Sequence, residues 1–264
     1  MNNQGIIRKH GQQGFSLLEV LVAVLILGIV TGGVFSQVEL AVRRSNAEQV
    51  KLDNFQEARD FVDQFFRDIN QIGYPNVRMA DTAVAWPTPL VTQNTYAWTS
   101  PYINDNRFAI GLVKVDANEI RFEADANGDG NVQSIVYTIN GSGACALCLQ
   151  RSQIDKLAAN PLTGQPPNWG TEVNDVVNTN PIFSYFKADG TAVNGLPVDI
   201  STQAGAQTLA SIKTIQISLV IRNNAVKDLK TGLAIEISFQ GEVSLNNCSM
   251  AAAYSSTLAP MGCQ

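Results

Sequence analysis

Between two strand-like segments the chain reads Asp125-Ala126-Asn127-Gly128-Asp129-Gly130-Asn131-Val132-Gln133. Oxygen-bearing side chains at loop positions 1, 3 and 5, with glycine at 6, match the opening of an EF-hand-like calcium loop, where such groups surround a hard cation. Position 12 falls on Val136, so the bidentate glutamate is missing, and the flanks EIRFEA and SIVYTI read as strands rather than helices. Two readings follow. Asp125, Asn127, Asp129 and Asn131 hold Ca2+ with backbone carbonyls and waters completing the shell, or they form a polar hairpin turn whose Asp, Asn and Gly residues supply the backbone angles.

Thiol chemistry is the second possibility. Cys145, Cys148, Cys248 and Cys263 all lie in the second half of the chain. An even count in a chain that reads as exported points to disulfides, and four cysteines allow three pairings. Local pairing, Cys145–Cys148 with Cys248–Cys263, is the simplest. A zinc site is the rival reading of Cys-Ala-Leu-Cys, but the second pair is not another Cys-x-x-Cys.

Catalytic constellations are poorly represented. His10 is the only histidine, so no imidazole follows it for a triad or a metal site. The chain has no P-loop, no G-x-G-x-x-G and no G-x-S-x-G. Glycosidase chemistry needs only two placed carboxylates, and no pair stands out. The expectation is a protein that is not an enzyme and requires no cofactor. The charge balance of −5, without a Lys/Arg cluster, also argues against nucleic acid as a partner, since phosphate binding needs basic patches.

The most unusual carboxylate is Glu19. It lies within an apolar run from Phe15 to Phe35 that is long enough to cross a bilayer. A carboxylate in hydrocarbon costs roughly 2.5–3.5 kcal/mol even on lenient insertion scales. Ahead of the run stands a short polar leader, MNNQGIIRKHGQQG, carrying Arg8 and Lys9. By the positive-inside rule the leader stays cytoplasmic and the rest of the chain faces outward. No small-residue cleavage site follows the run. Gly14-Phe15-Ser16-Leu17-Leu18-Glu19-Val20 instead resembles the processing site of type IV prepilins and type II secretion pseudopilins.

That resemblance implies cleavage by a prepilin peptidase between Gly14 and Phe15, N-methylation of Phe15 and retention of the apolar helix. It also gives Glu19 a role in assembly: in a filament core the carboxylate neutralises the Phe15 ammonium of a neighbouring subunit, and a buried charge is tolerable when paired. The later sequence is similar in places to PilW-type minor pilins and GspJ-type minor pseudopilins. The similar stretches are Phe66-Arg67-Asp68-Ile69 before Gly73-Tyr74, the strand–DANGDG–strand unit, and Phe183-Ser184-Tyr185-Phe186 before Asp189-Gly190. The partners implied are the peptidase, other minor and major pilins, and an inner-membrane assembly platform. The location implied is the bacterial inner membrane with the head in the periplasm, then a surface pilus. A membrane-anchored binding module that never polymerises is the alternative of a different class. Ser36 stands where many pilins kink at proline, so any mid-helix unwinding must rely on the glycines, Gly28, Gly32 and Gly33.

The elements that must carry these groups follow from periodicity. Residues 1–14 read as leader, 15–37 as membrane or filament-core helix, 38–73 as amphipathic helix and 74–264 as head. Phe55, Ala58, Phe61, Val62, Phe65, Ile69 and Ile72 recur at helical spacing, and Gly73-Tyr74-Pro75 ends the pattern. Residues 76–106 read as loop, with Trp86, Tyr96, Trp98 and Tyr102 scattered through it. Strands are expected at Phe108–Val115, Glu119–Ala124, Ser134–Asn140, Ile182–Lys187, Thr214–Arg222 and Ala234–Leu245. Residues 145–181 read as an insertion with little regular structure. The fold class expected is α+β: one long helix whose second half packs on an antiparallel sheet.

Overall fold

The computed structural model describes residues 15–75, 103–141, 147–227 and 231–245. The expected leader with Gly14, most of the 76–106 loop with its four aromatic residues, and Cys145, Cys248 and Cys263 lie outside them. The chain divides into two compact units, Met1–Gln49 and Val50–Gln264.

Helix α1 runs from Leu17 to Asn70 and contributes to both units. From Leu17 to Val38 its apolar side chains are exposed on every side, among them Leu17, Leu21, Leu25, Ile29 and Val34. A helix apolar all round that its own chain does not cover has the character of a membrane span. It is the one helix among the described residues that is long and apolar enough to cross a membrane. The local unwinding that the glycines would permit is not found: α1 stays helical through Gly28, Gly32, Gly33 and Ser36. None of these three glycines is crowded, and each residue in a helix interior retains its hydrogen bond, which offsets glycine's weak propensity of about 1 kcal/mol.

In the second unit the helix becomes one-sided. Ala58, Phe61, Val62, Phe65 and Ile69 are buried, as is Ile72 just beyond its end, whereas Phe55 of the expected stripe is 46% exposed. Gly73, at φ 77°, turns the chain out of the helix, and its N–H reaches the Glu123 carbonyl at 3.0 Å. Glycine adopts that left-handed angle without the Cβ clash another residue would meet.

Among the described residues nine strands follow: β1 (Leu112–Val115), β2 (Glu119–Ala124), β3 (Gln133–Asn140), β4 (Cys148–Asp155), β5 (Trp169–Val173), β6 (Phe183–Lys187), β7 (Val198–Asp199), β8 (Ile212–Lys227) and β9 (Ala234–Ser244), with helix α2 (Gln203–Ser211) before β8. They form two antiparallel sheets, ordered β5-β4-β3-β2-β1-β7 and β6-β8-β9, rather than the single sheet expected. Alternation supplies the inner faces: Ile120, Phe122 and Ala124 of β2 and Ile215, Ile217, Leu219 and Ile221 of β8 are buried. Phe65 joins helix and sheets. Its ring stacks on Phe183 of β6 at 5.5 Å and meets Tyr137 of β3 edge-on at 5.3 Å. Aromatic pairs of this geometry contribute about 0.5–1.5 kcal/mol beyond the area they bury.

The chain between Cys145 and Pro181 differs from expectation. It contains β4, paired with β3 along all eight residues, and β5, which pairs with β4 and forms the edge of the larger sheet. Residues 108–111 precede β1 as buried non-strand chain, so the first strand is shorter than Phe108–Val115.

Candidate functional site

The amino-terminal turn of α1 is built on a reciprocal pair. Ser16 precedes the helix, and its hydroxyl accepts from the Leu18 N–H at 3.2 Å. Glu19 reaches back, and its carboxylate accepts from the Ser16 N–H at 3.0 Å. Together they form a capping box of the Ser-x-x-Glu type, satisfying two of the donors a helix start leaves open. Phe15 beside it is 86% exposed. The turn therefore presents a large apolar residue next to a carboxylate that its own backbone orients. Gly14, the other half of the expected processing site, lies outside the described residues.

The calcium-like loop closes on itself as a hairpin turn between β2 and β3. Asp125 is buried, and its carboxylate accepts from the backbone N–H groups of Gly128, Asp129 and Gly130 at 2.8, 3.1 and 2.9 Å. Gly128 and Gly130 have φ of 72° and 88°, the left-handed angles that aim those N–H groups at one point. Asn127 and Asp129 bond each other side chain to side chain at 2.9 Å. The Asn131 backbone N–H and the Asn127 amide hold the Asp129 carboxyl below its usual range. Asn131 joins through its backbone. Among the described residues no group of three or more His, Cys, Asp or Glu is placed to hold a metal ion.

Cys148, buried at the start of β4, is disulfide-bonded. It is the one cysteine among the described residues, so the pairing is not defined by them.

Two buried charge clusters had no signature in the sequence. Asp68, on the last turn of α1, is fully buried; it accepts from the Tyr137 hydroxyl at 2.6 Å and from Arg151 Nε at 2.8 Å. Burial and the Asp68 charge push the Tyr137 phenol well above its ordinary pKa, so it remains a donor. On the opposite face of the larger sheet, Lys156 donates to Glu123 and to the Phe108 carbonyl, each at 2.8 Å. Both side chains are fully buried. Glu123 Oε2 also accepts from the Ile110 N–H at 3.0 Å, while its Oε1 has no hydrogen-bond partner among the described residues. These clusters fasten elements together.

A long apolar amino-terminal helix followed by an α+β head with antiparallel sheets defines a pilin-like architecture. Residues 9–35 match the family model described as the prokaryotic N-terminal methylation motif, a stretch that contains Gly14, Phe15 and Glu19. No curated protein and no solved structure matches the chain. The chain thus carries a type IV pilin-like prepilin signal, which implies processing by a prepilin peptidase and interaction with pilin subunits in general. The motif and the apolar helix together are consistent with a membrane-anchored pilin- or pseudopilin-like protein.

Proposed function

We propose that the protein is a minor pilin of the PilW type. In this reading residues 1–14 are removed, Phe15 becomes the N-methylated terminus, and α1 holds the subunit in the inner membrane with its head in the periplasm. Assembly then extracts the helix into a pilus, where the subunit helps initiate the filament and sits at or near its tip. The observation that carries the reading is Glu19, a carboxylate inside an apolar helix, oriented by its own capping box and enclosed by the matched motif. An unpaired charge there is costly; a neighbouring ammonium in a filament core offsets that cost. No catalytic step is assigned to the head. Bound Ca2+ is not required for the turn at 125–131 in this reading, because backbone N–H groups already satisfy Asp125. The disulfides are proposed as Cys145–Cys148 and Cys248–Cys263.

The test is Glu19→Ala at native expression. The variant is expected to be cleaved at Gly14 normally yet to be missing from sheared surface filaments, detected by immunoblot. Filaments that retain the variant would contradict an assembly role and favour a membrane-anchored module that never polymerises. Its appearance only in secretion pseudopili would move it to the GspJ-type pseudopilins.

A further inference from the structure

Glycine directly follows asparagine three times in the sequence, at Asn127-Gly128, Asn140-Gly141 and Asn194-Gly195. Such a pair carries a latent reaction, because glycine has no side chain to hinder attack by its own backbone nitrogen on the preceding carboxamide. The fold decides whether the attack happens, since nitrogen and carboxamide must be free to meet.

At two of the sites they are held apart. Asn127 Oδ1 accepts from the Asp129 N–H at 3.3 Å and from Gln133 Nε2 at 3.1 Å, and Asn127 Nδ2 donates to Asp129 Oδ2 at 2.9 Å. The attacking nitrogen is fixed as well, for the Gly128 N–H donates to Asp125 at 2.8 Å. That carboxylate opposes loss of the Gly128 proton, which would place a second negative charge beside it. Asn140 is the last residue of β3; it pairs with Cys148, and its carbonyl accepts from the Leu147 N–H at 2.8 Å.

Asn194-Gly195 is built differently. Both residues are exposed, in the turn that leads from Val193, whose N–H donates to the Tyr185 carbonyl of β6 at 2.8 Å, toward β7. The Asn194 side chain makes a single contact, from Nδ2 to the Ala192 carbonyl at 3.5 Å, at the long limit for a hydrogen bond. Among the described residues no acceptor binds the Gly195 N–H. A Cβ built on Gly195 would meet nothing within 4 Å, so no neighbour crowds the turn.

We infer that Asn194 deamidates spontaneously in the folded protein, which makes this turn a site of covalent modification. Solvent base takes the Gly195 amide proton, the nitrogen attacks Asn194 Cγ, and the side-chain NH2 leaves with a proton as ammonia. Water then opens the five-membered imide at either carbonyl. The product is an aspartate, or its isomer in which the backbone runs through the side-chain carbon, and each adds one negative charge to the head. The inference concerns the head alone and does not rest on the pilin reading.

Peptide mapping by mass spectrometry tests it, on the full chain purified in detergent micelles and aged at mildly alkaline pH. The peptide holding Asn194 is expected to gain the mass difference between NH2 and OH and to split into two chromatographic isomers. Its conversion is expected to be at least about tenfold faster than that of the peptides holding Asn127 or Asn140, whose groups the fold keeps out of attack geometry. In concentrated urea that advantage is expected to vanish. Asn194→Gln, whose longer side chain must close a larger ring, is expected to abolish conversion at the turn. The inference is overturned if Asn194 keeps its amide in the folded chain, if Asn127 or Asn140 converts as fast, or if the same advantage persists in urea.

Discussion

Asp68, Tyr137 and Arg151 show how a single buried carboxylate can hold a helix to a sheet. Removing one donor leaves the charge buried and under-satisfied, which costs more than the bond contributes when made. Tyr137→Phe is therefore expected to destabilise the protein by about 1.5–3 kcal/mol, read by urea unfolding; a change within error would mean that Arg151 alone satisfies Asp68. The Glu123–Lys156 pair calls for a different pair of variants. Breaking a buried ion pair typically costs about 3–5 kcal/mol, while replacing both members with apolar residues is often neutral or stabilising. Lys156→Met should accordingly be far less stable than the double variant Glu123→Leu/Lys156→Met, and equal losses would remove the distinction. Burial raises the Glu123 carboxyl above its ordinary 4.5, against the opposing pull of Lys156. A folded pKa above the unfolded one gives a contribution that is complete below the unfolded pKa and lost as pH rises through the folded pKa. The unfolding free energy of Glu123→Gln, relative to the parent, should thus climb as pH rises above the ordinary carboxyl value of 4.5. A flat or falling difference would contradict that sign.

At the scale of elements, the long helix and most strands were legible because their inward positions are apolar at the right period. The spacing of Ala58, Phe61, Val62, Phe65 and Ile69 marks a helix face and that of Ile215, Ile217 and Leu219 a strand face, and all of these residues are buried. β4 was not legible, since Arg151 and Gln153 occupy inward-facing positions where the pattern wants apolar residues. Asp68, 83 residues away, matches the Arg151 charge there. Helix α2 was hidden by its small residues and by Gly205, although Thr202 is an ordinary cap whose hydroxyl accepts from the Gly205 N–H at 3.0 Å. Gly205 has a reason to lack a side chain: a Cβ would lie 2.0 Å from the Asp199 carbonyl of β7. Gly205→Ala forces α2 and β7 apart, and a loss of about 1–3 kcal/mol is expected, as for other overpacked sites. Proton exchange at β7 amides faster than in the parent would locate the damage. In the candidate site, the position of Glu19 inside an apolar helix was legible from the run around it. Its capping box was missed, although Ser16-Leu17-Leu18-Glu19 carries the signal that finds it, Ser-x-x-Glu before an apolar run.

For the whole molecule, the two units differ in what covers their apolar surface. The described residues of the second unit bury a core among a helix and two sheets, while the apolar residues from Phe15 to Val38 stay open and need either lipid or other helices around them. That need, the matched motif and the placement of Glu19 converge on one covalent event. Intact mass and amino-terminal sequencing of the protein isolated from native membranes test it most directly, with Gly14→Ala as the uncleaved control. The account predicts a chain that begins at N-methylated Phe15, with Gly14→Ala retaining Met1 and its leader. A parent chain that keeps Met1, or one cut after the apolar helix, would contradict it.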